Sequence, residues 1–276
     1  MGRLDERVGI ITGAGQGIGR GIATLFAAEG ASVVIVDTDE QSLAETAARV
    51  DGAPGNVVTL VADVRSASAV EQMVRAALKA FGALHFLVNN AVWYATGPLL
   101  ETSEEAWEAT LDAALTSVYL TCRAAIPAMI DSGGGAIVNL GSINQIVANP
   151  HLPAYTAAKG GVRALSKQIA VEYGPAGIRC NVVSPGLIVT EKTRRSLEGR
   201  DERLDVEAYP IGRLGRVEDV AQAALYLACE ESAFVTGIDL PVDGGLTALS
   251  PTALASPSLR AKWGLRALTF EGEVGE

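Results

Sequence analysis

The chain has 276 residues, of which 49% are hydrophobic and 20% are charged, and its formal net charge is −10. A chain of this length and apolar content buries a sizeable core and forms one large domain or two small ones. Because it has no excess of cations for phosphate groups, the composition disfavours nucleic acid as a partner.

Seven short apolar stretches along the chain predict β-strands. They are residues 8–12, 32–37, 57–63, 84–90, 136–142, 178–185 and 238–243. Most are nearly pure hydrophobic runs, which is typical of parallel strands covered on both faces. Six amphipathic stretches between them predict helices, at residues 17–29, 39–51, 66–81, 103–130, 153–173 and 217–229. This alternation predicts an α/β fold, a doubly wound parallel seven-stranded sheet flanked by helices in a single domain.

Two segments fall outside this alternation. Residues 187–216 carry many charges without a clear period, which predicts a long excursion above the sheet. Residues 248–276 form a C-terminal extension beyond a main domain of residues 1–247. The apolar side chains of the extension include Trp263, Leu265, Leu268 and Phe270. They favour either a cover for a neighbouring subunit's cleft or a frayed terminus.

The first predicted strand leads into a glycine-rich segment, "TGAGQGIG", at residues 12–19. Gly13, Gly17 and Gly19 follow the spacing GxxxGxG, which differs from the common GxGxxG fingerprint. Glycines at such a turn let the backbone approach a pyrophosphate at a helix N-terminus. The segment, with Gln16 and Ile18 between its glycines, therefore predicts a dinucleotide site, and a purely structural turn is the alternative.

The second predicted strand ends at Asp37, eighteen residues after Gly19. A carboxylate at this position accepts hydrogen bonds from the adenosine ribose and repels a 2′-phosphate. No arginine adjoins it in the sequence to hold such a phosphate. Asp37 therefore favours NAD over NADP, and a helix-capping role is the alternative.

A tyrosine and a lysine lie four residues apart in "PAYTAAKGG", residues 153–161. This spacing places Tyr155 and Lys159 on one face of a predicted helix. A free phenol loses its proton near pH 10, and a neighbouring cation lowers that pKa. The pair therefore predicts a proton-transfer device, with an ordinary polar patch as the alternative.

Together, the glycine segment, Asp37, "NNA" at 89–91 and "YTAAK" resemble the short-chain dehydrogenase/reductase family over roughly residues 4–245. The resemblance implies a Rossmann fold and a hydride transfer between NAD and a secondary alcohol or ketone. It implies that Tyr155 is the acid/base and that Lys159 lowers the phenol pKa and holds the nicotinamide ribose. Ser142 would donate a hydrogen bond to the reacting oxygen.

The resemblance also assigns cofactor contacts to residues near strand ends. They are Asp63 and Val64 at the adenine, Asn90 and Ala91 beneath the adenosine ribose, and Pro185, Gly186, Ile188 and Thr190 at the nicotinamide.

The chain departs from the family pattern at two positions. The family usually carries an asparagine in the fourth helix, where it helps organise a water chain from the lysine to solvent, but "DAALTSVY" has Ala114. The family also usually has glycine after "NNA", where this chain has Val92. The two aromatic residues that follow, Trp93 and Tyr94, either wall a substrate cleft or pack their loop onto the fourth helix.

The predicted substrate contacts lie above the sheet at Trp93, Asn144 and Leu187. The loop at 143–151 mixes apolar and amide side chains, which suits a moderately apolar ketone or secondary alcohol with one or two polar groups. By resemblance, the fourth and fifth helices pair across a two-fold axis, so a homodimer or homotetramer is expected.

The cysteines and the hydropathy of the sequence predict where in the cell the protein resides. Cys122, Cys180 and Cys229 are far apart and outside any CxxC spacing, which predicts buried thiols in a reducing compartment. His85 and His151 do not form a recognisable zinc cluster, so no metal site is expected. The N-terminus resembles no signal segment, and no apolar run reaches the roughly 18 residues of a membrane span. We therefore expect a cytoplasmic protein without a membrane partner.

These inferences predict an NAD-dependent oxidoreductase whose catalytic domain spans residues 1–247, with a substrate loop at about 187–216. An epimerase or dehydratase is disfavoured, since relatives with those activities usually carry an added substrate domain. Because of Ala114, a catalytically weak or silent dinucleotide-binding protein is the alternative.

Overall fold

Nine parallel-paired strands organise the chain in the computed structural model, which describes residues 2–199 and 202–267. The strands are β1 (Val8–Thr12), β2 (Ser32–Asp37), β3 (Val57–Val61), β4 (Phe86–Asn89), β5 (Gly135–Leu140), β6 (Ile178–Pro185), β7 (Ile188–Val189), β8 (Gly215–Arg216) and β9 (Asp239–Val242). Seven of them form the main sheet, in the order β3-β2-β1-β4-β5-β6-β9, and β7 pairs with β8. The strand order reverses between β1 and β4, which is where sheets of this kind bind ligands.

Helices cover both faces of the main sheet. They are α1 (Gly17–Ala28), α2 (Glu40–Arg49), α3 (Ala67–Phe81), α4 (Glu104–Leu111), α5 (Ser117–Asp131), α6 (Pro153–Tyr173), α7 (Glu191–Leu197), α8 (Glu202–Glu207), α9 (Val217–Ala228), α10 (Pro251–Ala255) and α11 (Pro257–Lys262). The predicted fold class, a doubly wound parallel sheet in a single domain, is confirmed.

Two apolar layers hold the helices to the sheet. One layer joins the strands to α3, α5 and α6, and the other joins them to α1, α2 and α9. In the second layer the rings of Phe26 and Phe86 meet edge to face, with centroids 5.3 Å apart. A side chain at Gly9 would overlap the Phe86 ring, so the small residue in β1 is what lets this ring fill the layer.

Four predicted strands are longer than the observed ones. The predicted segments 57–63, 84–90, 136–142 and 238–243 end in the structure at Val61, Asn89, Leu140 and Val242. The polar residues that close each predicted segment therefore lie just beyond the sheet edge, in the loops above it. This displacement matters for function, because loop positions at the carboxyl ends of strands face the ligand side.

The predicted helix at 103–130 is interrupted by a π-helical turn, Asp112–Thr116, between α4 and α5. The turn packs against α6, where a Cβ on Gly161 would lie 2.7 Å from the Leu115 side chain. Ala114 is buried in this turn. A π turn is a local bulge that is frequent at functional sites, and the close helix contact explains its position here.

Within the described residues, one helical stretch, 104–131, is long and apolar enough to span a membrane by length and composition. Arg123 lies inside the apolar window of this stretch, so the expectation that no uninterrupted apolar run reaches about 18 residues stands. More than half of this window is buried inside the protein. A core helix meets the same criterion, so the stretch is accounted for by its place against the sheet.

The predicted excursion contains α7, α8 and the β7–β8 pair, packed on a small apolar cluster of Leu197, Tyr209 and Leu214. The described part of the C-terminal extension folds back on the same chain. There Arg260 of α11, which is buried, forms an ion pair with Glu207 of α8 at 2.7 Å. Leu268 and Phe270 lie outside the described residues.

His85 gives the fold a predicted pH dependence. Its Nδ1 accepts the backbone N–H of Val8 at 3.0 Å, which requires the neutral ring. Burial, together with nearby Arg7, lowers the pKa of His85 below its ordinary value. The unfolded chain therefore binds this proton more readily, and the stabilisation is fully present above about pH 6.5. We expect the free energy of unfolding in urea to fall as the pH drops below that value, through the folded-state pKa.

A His85→Asn variant isolates this effect, because its Oδ1 still accepts from Val8 and does not titrate in this range. We expect the wild type to lose more stability than the variant between about pH 7 and pH 5. Parallel losses in the two proteins would show that His85 does not contribute.

Candidate active site

A cleft of about 560 Å³ opens above the carboxyl ends of β1 to β4. Most of the residues predicted to bind the dinucleotide line it. They are Gly13, Gln16, Gly17, Ile18, Asp37, Asp63, Val64, Asn90, Ala91 and Thr190. The cleft is therefore the place where the sequence motifs for a cofactor converge, although they come from several loops.

The glycine segment needs its glycines for steric reasons. Gly13 and Gly17 adopt left-handed backbone conformations, with φ of 64° and 52°. A Cβ at Gly19 would lie 2.1 Å from the carbonyl oxygen of Gly13. Gln16 makes no side-chain capping bond at the start of α1, so the first N–H groups of that helix are available to an anion in the cleft.

A buried arginine, which the sequence analysis missed, braces this segment. Arg20 donates to the carbonyl oxygen of Gly15 through Nε at 2.9 Å. It also forms an ion pair with Glu45 at 2.9 Å and bonds Thr46 at 3.1 Å. The position of Arg20 on the first turns of α1 gave no signal, since Glu45 and Thr46, the side chains that it bonds here, come from α2.

Asp37 is fixed at one end of the cleft by backbone donors. Its Oδ2 accepts the N–H of Gly15 at 2.9 Å, and its Oδ1 accepts the N–H groups of Thr38 and Asp39 at 2.8 and 3.3 Å. A Cβ at Gly15 would lie 2.8 Å from Oδ2, so the loop closes directly onto this carboxylate.

The structure also brings an arginine into the same cleft, which sequence adjacency to Asp37 did not reveal. Arg65 binds Asp63, with Nη2 2.6 Å from Oδ2. The guanidinium of Arg65 holds the pKa of Asp63 below its usual range. Asp63 and Arg65 therefore line the cleft as an ion pair.

Asn90 and Ala91 connect the β4 loop to the glycine segment. The side-chain amide of Asn90 donates to the carbonyl oxygens of Thr12 and Gly13 at 3.1 and 2.9 Å. The backbone N–H groups of Asn90 and Ala91 donate to Thr12 Oγ1 at 3.0 and 3.1 Å. The amide of Asn90 thus fixes the shape of the cleft floor.

Four residues predicted at the nicotinamide have different surroundings. Thr190 adjoins Gly17, where an added Cβ would be 3.3 Å from Thr190 Cγ2. Pro185 and Ile188 are buried, and Gly186 packs against Tyr209 on a neighbouring surface. Of the four, the structure places Thr190 directly on the cleft lining.

The predicted catalytic residues gather at the ends of β5 and α6. Lys159 is 4% exposed, donates from Nζ to the Leu140 carbonyl oxygen at 2.6 Å, and lies 5.6 Å from the Tyr155 ring centroid. Burial lowers the pKa of Lys159 to about 8. Burial also raises the pKa of Tyr155 to about 12, opposed by its hydrogen bond with Ser142 and reinforced by Tyr94.

The pKa of Tyr155 is raised, whereas the sequence predicted that Lys159 would lower it. Desolvation disfavours the phenolate, and the same desolvation weakens the hold of Lys159 on its own proton. The two groups thus share a site in which the phenol stays protonated and the ammonium releases its proton near neutral pH.

An aromatic neighbour covers the predicted acid/base. The rings of Tyr94 and Tyr155 are tilted against one another with centroids 4.4 Å apart. Lys192 of α7 also places Nζ 5.6 Å from the Tyr94 ring centroid. Tyr94 therefore contacts both Tyr155 of α6 and Lys192 of the excursion.

The predicted substrate contacts separate in the structure. Trp93 lines the cleft and is half exposed. Asn144 is buried and donates to Ser142 Oγ. Leu187 packs on the apolar cluster of the excursion, and its backbone N–H donates to the Tyr209 hydroxyl at 2.8 Å.

Comparisons with known proteins agree with this arrangement of motifs. A family model described as "Enoyl-(Acyl carrier protein) reductase" matches residues 13–247. The chain is 38% identical over 253 residues to 2-(S)-hydroxypropyl-CoM dehydrogenase 3 of Xanthobacter autotrophicus, covering 90% of this chain and 99% of that protein. It is 40% identical over 225 residues to inactive 2-(S)-hydroxypropyl-CoM dehydrogenase 2 of the same organism, covering 80% and 96%.

The fold is also similar to that of solved structures. Levodione reductase superposes with a TM-score of 0.85 at 30% identity, over 90% of this chain and the whole of that one.

Proposed function

The chain belongs to the short-chain dehydrogenase/reductase family and is an oxidoreductase, and we propose that it interconverts a secondary alcohol and a ketone using NAD. The observation that carries this proposal is the meeting of Ser142, Tyr155 and Lys159 beside a cleft lined by the glycine segment and Asp37. Bound NAD would supply the hydride chemistry.

Residues of the chain would transfer the proton and orient the substrate and the cofactor. On reduction, the neutral phenol of Tyr155 donates its proton to the carbonyl oxygen of the ketone. On oxidation, the phenol first releases its proton to solvent, and its phenolic oxygen then takes the alcohol proton. Ser142 donates a hydrogen bond to the reacting oxygen as negative charge develops there. Lys159, buried and bonded to Leu140, holds the nicotinamide ribose and exchanges its proton near neutral pH.

The fit to NAD rests on charge and shape. Close backbone approach at Gly13 and Gly19 and the uncapped start of α1 suit a pyrophosphate. The Asp37 carboxylate suits ribose hydroxyls and repels a 2′-phosphate. Arg65 would favour that phosphate, but its charge is taken up by Asp63. We therefore propose NAD over NADP.

The proposed substrate is a small, moderately apolar alcohol or ketone. Trp93 supplies an aromatic wall at the cleft, and Tyr94 covers the ring of Tyr155. The CoM dehydrogenase relative acts, by its name, on a 2-hydroxypropyl group, which contains a secondary alcohol. This supports the reaction class and leaves the identity of the substrate to experiment.

A catalytically weak or silent dinucleotide-binding protein is the second candidate. Ala114 is buried in its π turn and offers no side-chain amide to a water chain. One relative is described as inactive. The presence of all three candidate catalytic residues favours the active enzyme.

A panel of secondary alcohols and ketones separates the two candidates. We expect NAD-linked oxidation at about pH 9 and NADH-linked reduction at about pH 6.5, since the neutral phenol favours proton donation. Tight NADH binding without turnover of any panel member would support the silent protein. Failure to bind NADH would reject both.

We further propose a homodimer or homotetramer in the cytoplasm. A groove of about 630 Å³ lies between α5 and α6, with Tyr119, Ile126, Ile130, Leu165 and Ile169 on its lining. A second copy of the chain is its proposed occupant, and sedimentation equilibrium measures the state. The three cysteines are buried free thiols, which supports a reducing compartment.

A further inference from the structure

The hydroxyl of Ser142 is held by a neighbouring amide. Ser142 Oγ accepts the backbone N–H of Asn144 at 3.2 Å and its side-chain Nδ2 at 3.3 Å. The two residues are 7% and 8% exposed. These contacts follow β5 directly, on the loop that carries the catalytic serine.

The orientation of the Asn144 amide follows from its other partner. The oxygen and nitrogen ends of an amide have nearly the same shape, so partners must identify them. The backbone N–H of Asn149 lies 3.2 Å from Asn144 Oδ1, and Asn149 Nδ2 lies 2.8 Å from it. A backbone N–H can only donate, so the end facing Asn149 is the oxygen and the NH₂ group faces Ser142.

This arrangement determines what the serine hydroxyl can do. A hydroxyl oxygen has two lone pairs and a single proton. Asn144 supplies donors to the oxygen from two directions, and it presents no acceptor to Ser142. The proton of Ser142 is therefore left for a third partner, and Ser142 also forms a hydrogen bond with the phenol of Tyr155.

We propose that Asn144, held by Asn149, is a positioning residue that makes Ser142 a hydrogen-bond donor toward the reacting oxygen of the substrate. A donor aimed in advance costs no reorientation when charge develops. The inference rests on the proposed dehydrogenase function, and it replaces the predicted substrate contact of Asn144.

Neutron diffraction on the perdeuterated full-length chain tests the orientation without any substrate. We expect two deuterons on the Asn144 nitrogen facing Ser142, and the Ser142 deuteron pointing away from Asn144. A Ser142 deuteron directed at Asn144, or an amide oxygen facing the serine, would overturn the inference. This result does not depend on whether the protein turns over an alcohol.

Steady-state kinetics, with a substrate that the wild type turns over, test whether the Asn144 amide affects catalysis through Ser142. Asn144→Asp is nearly isosteric, but the ionised carboxylate only accepts hydrogen bonds, so Ser142 would donate to it. We expect kcat/KM to fall about 100-fold, close to the effect of Ser142→Ala, with the Kd for NADH within about threefold of wild type. Asn144→Ala should lose only about tenfold, because water can replace the missing donor.

Asn56→Asp is the matched control. The exposed Asn56 amide also donates to a serine, Ser32, and the substitution adds the same charge far from the cleft. We expect wild-type kinetics from it.

The pH profile distinguishes positioning from a structural role. Protonation of the carboxyl in Asn144→Asp restores a donor, so its kcat relative to wild type should rise as the pH falls. A constant ratio, or wild-type activity in Asn144→Asp, contradicts the inference while the proposed function stands. If the wild type turns over no substrate, the proposed function fails, and the neutron structure decides the inference alone.

Discussion

A Tyr155→Phe variant is expected to lose about 1000-fold in kcat for both alcohol oxidation and ketone reduction. The substitution removes only the phenolic oxygen, which is the atom proposed to exchange the proton. The remaining ring can keep its packing against Tyr94, 4.4 Å away, so the fold should be unaffected. Steady-state rates with NAD and NADH measure the loss.

Cofactor binding and a distant tyrosine serve as controls for this result. NADH affinity, followed by fluorescence titration, should stay within about threefold of wild type, since the glycine segment and Asp37 are untouched. Tyr226→Phe removes the same atom from α9, away from the cleft, and should behave as wild type. Full activity in Tyr155→Phe would mean that another group is the acid/base.

Removing the charge of Asp37 is expected to change cofactor preference strongly. In Asp37→Asn the ratio of kcat/KM for NADPH to that for NADH should rise about 100-fold, because the repulsion of the 2′-phosphate disappears. The asparagine oxygen can still accept the N–H of Gly15, so the glycine loop keeps its brace. The cleft lining also carries two cations, Lys192 and Arg65, of which Arg65 is paired with Asp63.

Glu40→Gln supplies the comparison for charge alone, since Glu40 is exposed on the first turn of α2. We expect its cofactor ratio to change less than about threefold, because solvent and salt screen its charge. An unchanged ratio in Asp37→Asn would show that Asp37 does not select the cofactor, and equal changes in both variants would point to net charge.

The helix that contains Tyr155 and Lys159 illustrates what could be predicted. Its bounds, Pro153–Tyr173, are those predicted from the pattern, and the four-residue spacing places both side chains at one site. The pKa direction of Tyr155 was not predictable in this way. It depends on burial by loops and on the Tyr94 ring, 61 residues away along the chain.

Asn144 and Ala114 illustrate the opposite case. The sequence places Asn144 in a loop of mixed polarity, which is compatible with a substrate contact, but its amide points to Ser142 because Asn149 holds the other end. Ala114 lies in a predicted continuous helix. The π turn around it reflects the contact of Leu115 with Gly161, which no helical period encodes.

The seven strands of the main sheet, the fold class and the family could be predicted from the sequence, because hydrophobic periodicity and the glycine, "NNA" and "YTAAK" motifs are properties of neighbouring residues. The partners of the buried arginines could not be predicted in this way. Arg20 of α1 pairs with Glu45 of α2, and Arg260 of α11 pairs with Glu207 of α8, because the fold packs these elements together. A buried charge or amide must find its partner wherever the fold supplies one, and that partner is set by packing in space.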